Sequence, residues 1–290
     1  MDTILITGIN GFLGSNLAKR LSKNNFILGL EQNTIDLFRL TGTDYKIYSA
    51  ENLNLELLFK ENTIDIIIHT ATVYRKATDL IDNLLKTNIL MPINLYELAC
   101  KYNVPYFINT DSFFNCQGTT YNYLGDYTLS KRHLVEWLKM LQLNTKIVNM
   151  KLFHMYGPGD SASKFVTRLI IDLISNISKI EFTPGEQKRD FIYIDDIINA
   201  YCIVIDNLKN QKNTFIEYEV GTGQTYSIRE FVNIVAQLTK SNSELLFGAI
   251  PYREGEMMKS VANNKKLIKL GWKINTSITD GCYKTISNYK

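Results

Sequence analysis

Apolar residues in the first half of the chain alternate between two rhythms. Thr3–Thr7 (TILIT), Phe26–Leu30 (FILGL) and Ile64–His69 (IDIIIH) are short, almost continuously apolar runs, as are Val104–Thr110 (VPYFINT) and Lys146–Phe153. Tyr45–Tyr48 is a weaker run of the same kind. Between them the apolar positions recur at helical spacing, as with Phe12, Leu13, Leu17 and Leu21, and the pattern predicts helices over 12–23, 52–60, 79–102 and 126–142. Strands that are apolar on both faces suit a parallel sheet covered on both sides, and strands alternating with helices predict a doubly wound α/β fold of the Rossmann type.

Beyond Pro158 the rhythm loosens. Helices are expected at about 161–175, 195–208, 227–239 and 263–269, with strands near 179–182, 190–194 and 214–220 and a turn at Pro184-Gly185. Without repeats or a proline-rich linker, this half reads as a smaller mixed α/β lobe packed on the first. The division expected is 1–158 for a dinucleotide-binding domain, with some later segments returning to it, and 159–290 mainly for a substrate lobe. A cleft between two such lobes is a common place for a ligand.

Composition narrows the classes. Hydrophobic residues make up 45% and charged residues 21% of 290, an ordinary globular balance. A net charge of +3 with scattered Lys and Arg argues against nucleic acid and membrane surfaces as partners. No apolar run approaches the ~18 residues of a membrane helix, and Gly8 to Gly14 interrupts the first run before a signal sequence forms. Cys100, Cys116, Cys202 and Cys282 lack metal-ligand spacing, so no metal is expected and reduced thiols in the cytoplasm are.

Two motifs carry the chemistry. The first is Gly8-Ile9-Asn10-Gly11-Phe12-Leu13-Gly14, after the first strand and at the start of the first helix. Glycines there permit a tight turn and close backbone approach, and the helix N-terminus offers N–H groups and positive potential to a pyrophosphate. Glu31 ends the second strand, where a carboxylate accepts hydrogen bonds from adenosine ribose hydroxyls and repels a 2′-phosphate. It tilts the choice between NAD(H) and NADP(H) to NAD(H). His69, Thr70 and Ala71 end the fourth strand and are candidates to line a cofactor, the small residues letting the chain run beside it, although a lone His among apolar residues is more often structural.

The second motif is Tyr127 and Lys131, four apart on one helix face. An isolated tyrosine, with a pKa near ~10, is a poor acid or base at neutral pH, and a nearby ammonium is expected to lower it. The same Lys can hold the nicotinamide ribose. Ser112, with Thr110 second, is the candidate for orienting a substrate oxygen.

On these residues the chain resembles the extended short-chain dehydrogenase/reductase family, of NAD-dependent epimerase/dehydratase type. Lys151–Pro158 is similar to the family's R-x-F-N-x-Y-G-P segment and Arg189–Asp196 to its R-D-F-[IV]-[YH]-V-x-D segment. Asn88–Ile93, Glu219–Gly223 and Ser227–Glu230 resemble the branch of nucleotide-sugar 4-ketoreductases that includes CDP-paratose synthase. The resemblance implies a nucleoside-diphosphate sugar as substrate, with Ser112, Tyr127 and Lys131 catalytic and Asn88 beside the cofactor. It implies a homodimer built on helices 79–102 and 126–142, with Leu134, Trp137, Leu138 and Leu141 as seam or core. The expected activity is reduction of a CDP- or dTDP-linked 4-keto-6-deoxyhexose for surface polysaccharide. The alternatives are a 4-epimerase with retained NAD and a non-catalytic NAD(P) sensor. Arg189 and Arg253 are candidates for the pyrophosphate, since a guanidinium fork matches phosphate oxygens. Lys164, His154 and Phe113 complete the substrate-side set. Two departures stand out. Glu31-Gln32-Asn33 replaces the basic residues of an NADP-dependent reductase, and Ser112 follows Asp111 where a 4,6-dehydratase carries Glu.

Overall fold

The computed structural model describes residues 1–51, 54–75, 78–116 and 124–290. In chain order its main elements begin β1 (Thr3–Thr7), α1 (Phe12–Leu21), β2 (Phe26–Glu31), β3 (Lys46–Ser49), α2 (Leu55–Glu61), β4 (Ile66–His69), α3 (Ile81–Leu85), α4 (Met91–Lys101), β5 (Tyr106–Ser112), α5 (Gly125–Leu141) and β6 (Lys146–Leu152). They continue with β7 (His154–Tyr156), α6 (Phe165–Ile174), β8 (Lys179–Phe182), β9 (Lys188–Arg189), β10 (Phe191–Tyr193), α7 (Ile194–Asn207), β11 (Phe215–Val220), β12 (Tyr226–Ser227), α8 (Ile228–Thr239), β13 (Glu244–Phe247), β14 (Lys259–Ser260), α9 (Lys265–Lys269) and α10 (Ile278–Ser287).

The described residues form two compact units. The first comprises 1–116, 124–151 and 204–218. Among the described residues, a seven-stranded sheet has the order β3-β2-β1-β4-β5-β6-β11. The pairs β1–β2, β1–β4, β2–β3 and β4–β5 are parallel. The apolar runs predict this, because such a sheet buries both faces. Leu5, Leu28, Ile67, Leu95, Tyr96, Phe107, Leu134 and Leu138 belong to one buried cluster. The strand order reverses between β1 and β4, and the carboxyl ends flanking a reversal are where α/β sheets bind ligands.

The helix expected over 79–102 is broken. A π turn over Lys86–Leu90 joins α3 to α4, and Pro92 stands in the first turn of α4. Proline supplies no N–H to the turn behind it, and a one-turn widening accommodates that loss. Of the helix expected over 52–60, positions 52 and 53 lie outside the described residues.

The second unit comprises 152–203 and 219–290. Here β13 pairs with β8, β10 with β7, and β12 and β14 flank β9. Its core includes an aromatic group in which Phe191 stacks on Phe231 at 4.0 Å and Tyr156 meets Tyr193 edge-on. Ser227 and Glu230 close a capping box at the start of α8.

Candidate active site

The glycine loop leaves β1 and turns into α1 in very little space. Gly8 has φ +64°, and its N–H donates to Leu30 O at 2.8 Å. A Cβ on Gly14 would lie 2.2 Å from Gly8 O, and one on Gly8 would lie 2.8 Å from Ala71 Cα. These positions therefore admit no side chain. Gly11 caps α1 without a side-chain hydrogen bond, and no acidic residue occupies the first turn. Phe12 and Leu13 open that helix, so its N-terminal potential faces the loop unopposed.

Glu31 is fixed by its surroundings. Its carboxylate accepts from Asn10 N at 3.0 Å and from Gln32 N at 2.9 Å. Asn10 donates its side-chain amide to Asp36 O, while its buried Oδ1 has no hydrogen-bond partner. A cradle that a Cβ would fill, with a carboxylate at the end of β2 and an orphaned acceptor in the loop, fits a dinucleotide. Thr70 Oγ1 donates to Thr7 O at 2.7 Å, and Ala71 N donates to Thr7 Oγ1. These bonds pin the end of β4 to β1. His69 is fully buried, with Nδ1 2.8 Å from Thr7 Oγ1. Burial and then the charge of Lys131 push its pKa down to about 3, so the ring is neutral. The side chain of His69 is thus part of the core beneath the loop.

Asn88 sits in the π turn and spends its whole amide locally. Its Oδ1 accepts from Val73 N at 2.9 Å, and its Nδ2 donates to Val73 O at 3.0 Å and Ser130 Oγ at 3.1 Å. Ser130 lies on α5 and in turn donates to Tyr127 O. The segment after β4 is thereby tied to the helix that carries Tyr127.

Ser112 at the end of β5 and Tyr127 and Lys131 on α5 come together. Ser112 hydrogen-bonds the Tyr127 hydroxyl. Lys131 Nζ donates to Thr110 O at 3.0 Å and lies 6.0 Å from the Tyr127 ring centroid. Thr110 thus serves through its carbonyl. Burial lowers the Lys131 pKa to about 8, with Asp111 acting in the opposite direction. The net shift runs against the expected lowering, because burial outweighs it. The Tyr127 pKa is raised, first by burial and then by Tyr74 and Asp111, against a smaller lowering by Ser112. The buried phenol is therefore held neutral, as a proton donor.

Two neighbours of this cluster escaped the sequence reading. Asp111 is buried and accepts from Ser112 N at 2.8 Å, Asn149 Nδ2 at 2.9 Å and Asn115 Nδ2 at 3.1 Å. Burial raises its pKa, and Asn149, Ser112, Lys131 and Lys151 oppose that rise. Tyr74 stacks on Tyr127, with ring centroids 4.4 Å apart and planes at 23°. The Thr110-Asp111 pair marks the first in sequence, whereas no local signal marks the second.

The other substrate-side candidates divide between the units. Phe113 packs on Phe114 at 4.1 Å in the short turn after β5, in the first unit. His154, Lys164, Arg189 and Arg253 belong to the second. His154 lies on β7 beside Phe191, and burial and then Arg189 push its pKa down to about 3. Lys164 precedes α6, and Arg253 is exposed in the segment before β14. Arg189 is buried in an ion pair with Glu256 and donates to the carbonyls of Lys188 and Met257. That carboxylate lies far along the chain from Asp190 and Glu186, its nearer acidic neighbours. Asp190 instead receives Thr222 N, Gly223 N and Ala262 N.

A family model described as "NAD dependent epimerase/dehydratase family" matches residues 4–221. The chain belongs to the NAD dependent epimerase/dehydratase family. The relatives of this family member include the CDP-abequose synthase of Salmonella typhimurium, 36% identical over 97% of this chain and 96% of that protein. The CDP-abequose synthase of Salmonella muenchen is 33% identical over 98% and 97%. Among solved structures, UDP-glucose 4-epimerase from Thermotoga maritima superposes with a TM-score of 0.86 at 19% identity, over 99% of this chain and 98% of that one. At that identity the likeness speaks for the fold, and it establishes the Rossmann-like α/β architecture within the family.

Proposed function

We propose that this protein is a nucleotide-sugar 4-ketoreductase that reduces the 4-keto group of a CDP-linked 4-keto-6-deoxyhexose. The observation that carries the reading is the 36% identity to a CDP-abequose synthase across almost the whole of both chains. Its site supports it in three ways. Asp111 is followed by Ser112, which has no carboxylate to abstract a sugar proton, and this argues against dehydration. Ser112 and Tyr127 present two hydroxyls at one place, which suits a ketone oxygen. Tyr127 is held in its neutral form, the state needed to give a proton.

Gly8, Gly11, Gly14 and Glu31 would hold the cofactor, with Lys131 at its nicotinamide end. A reduced nicotinamide bound there supplies the two electrons that the ketone carbon accepts. Ser112 orients and polarises the carbonyl oxygen, and Tyr127 gives its hydroxyl proton to that oxygen as negative charge develops. Lys131, cationic below its pKa of about 8, stabilises the phenolate left behind. Glu31, aimed by two backbone N–H groups, favours the 2′-hydroxyl of NADH over a 2′-phosphate. The product would be an activated deoxysugar for surface polysaccharide. The four free thiols are in keeping with a reducing, cytoplasmic setting, and among the described residues no helix is long and apolar enough to cross a membrane.

The test is oxidation of NADH or NADPH in the presence of CDP-, dTDP- and GDP-linked 4-keto-6-deoxy sugars made in place by the matching dehydratases. Consumption of NADH with the CDP sugar is expected. No consumption with any of them, together with NAD⁺ carried through purification, points to the 4-epimerase, whose support here is Glu31 and a likeness of fold.

A homodimer is part of the same reading. Leu134 and Leu138 lie in the core, and Leu141 packs against it, so they are not the seam. Leu129, Trp137 and Met140 on α5 and Ile81 and Leu85 on α3 are the exposed apolar residues of these helices that a second copy would cover. Trp137→Glu is expected to convert a sedimenting dimer to a monomer. A wild-type protein that already sediments as a monomer would contradict the seam.

A further inference from the structure

On the reading that Tyr127 protonates the sugar oxygen, every turnover leaves its oxygen one proton short, and that proton must be replaced before the next. Tyr127 is badly placed to collect it. Its side chain is 5% exposed, and Lys131 and Ser112 beside it are buried as well. Lys131 Nζ is turned to Thr110 O, and Asp111, the nearby carboxylate, is enclosed by Asn149, Asn115 and the Ser112 N–H.

The Tyr127 hydroxyl meets Tyr74 on another side. The two phenols hydrogen-bond, and their rings stack with centroids 4.4 Å apart. Tyr74 is 43% exposed, so this contact joins the sealed donor to water.

The placement of Tyr74 is built by its neighbours in the chain. Val73 is held through both its N–H and its carbonyl by Asn88 in the π turn. Arg75 Nε pairs with Asp126 Oδ2 at 2.6 Å, and Arg75 Nη1 donates to Asp79 O. Asp126 immediately precedes Tyr127 in the first turn of α5. One side of Tyr74 is therefore anchored to the turn before α4, and the other to the residue next to the proton donor. A residue clamped on both flanks keeps its ring over Tyr127 at low entropic cost.

We propose that Tyr74 is a relay residue that returns a proton from solvent to Tyr127. In the first step the Tyr127 O–H bond breaks, its proton goes to the substrate oxygen, and a phenolate remains. In the second, the Tyr74 hydroxyl gives its proton to that phenolate, and Tyr74 takes a proton from water. No electron moves in the relay, and the sum is one proton carried from solvent to Tyr127. Asp111 and Lys131 are the charged groups that act beside the pair, and the Arg75–Asp126 ion pair joins the residue after Tyr74 to the residue before Tyr127.

The test is Tyr74→Phe, which keeps the stacked ring and removes the transferable proton. Turnover on the CDP-4-keto sugar is expected to fall roughly tenfold or more while KM stays near its wild-type value. The solvent deuterium isotope effect on kcat is expected to rise, and added imidazole, a small proton donor, to restore much of the lost rate. Unchanged kcat and isotope effect would overturn the relay, and so would a loss that imidazole does not restore.

A second readout needs no substrate. In protein carrying ¹³C at the tyrosine Cζ, the Tyr127 resonance, assigned with Tyr127→Phe, is expected to change its titration in Tyr74→Phe, because the hydroxyl that exchanges a proton with it is gone. A Tyr127 resonance indifferent to Tyr74 sinks the relay. A wild-type protein that reduces none of the sugars sinks the reductase reading, and the two failures are separate.

Discussion

Tyr127→Phe is expected to lower turnover by about 10²-fold or more while leaving affinity for the reduced cofactor within a factor of about two. The substitution removes a single oxygen from a buried side chain. It leaves the stack on Tyr74, the edge contact with Phe114 and the backbone bond from Ser130 in place. What disappears is the one hydroxyl that meets Ser112 on one side and Tyr74 on the other. Ser112 loses its partner but remains able to polarise a carbonyl, so residual activity above background is expected. Steady-state kinetics on the CDP-4-keto sugar, paired with fluorescence titration of NADH, separate the two effects. Turnover within threefold of the wild type would remove Tyr127 from the chemistry.

Gly14→Val is expected to abolish cofactor binding and to destabilise the first unit by about 2–3 kcal/mol or more. The reason is space. The first atom of any side chain at this position would stand 2.2 Å from Gly8 O and 3.0 Å from Ile9 Cα, both backbone atoms that cannot rotate away. To admit it, α1 must withdraw from β1, and the helix N-terminus then leaves the place where the loop directs it. Thermal melting reads the stability, and NADH titration reads the binding. Gly42 offers a control with positive φ but open space around it, so Gly42→Ala should cost only backbone strain and spare the cofactor. A Gly14→Val protein that binds NADH with wild-type affinity would contradict the assignment of the loop.

The sheet was readable in sequence because its strands are nearly continuous apolar runs that face helices on both sides. Ile66, Ile67 and Ile68 are buried whichever way they point, and no other secondary structure of that length uses them so. The break between α3 and α4 was not readable, because the apolar spacing runs through it unchanged. Only Pro92 and the side-chain bonds of Asn88 show why the helix widens. The two-residue strands β9, β12 and β14 are too short to carry a period. Helix α10 does carry a local signal, since Ser277 accepts from Asp280 N in a cap at its start.

In the candidate site, spacing alone put Tyr127 and Lys131 on one helix face, and the end of β5 supplied Ser112. The direction in which the environment moves Tyr127 was not legible, because desolvation depends on how the fold closes over the ring. Tyr74 reaches Tyr127 only through the segment after β4, and Glu256 reaches Arg189 from a distant part of the chain. Contacts of that kind have no footprint in local pattern.

The most direct measurement follows the hydrogen itself. The protein would be given NADH deuterated on one face or the other of nicotinamide C4, together with the CDP-linked 4-keto-6-deoxy sugar, and the product sugar examined by mass spectrometry and proton NMR. The account predicts that one of the two labels appears, one deuterium per molecule, at C4 of a reduced sugar, with NAD⁺ formed in equal amount. A product that carries no deuterium from either label, or a sugar recovered at the same oxidation level with its C4 configuration changed, would contradict it.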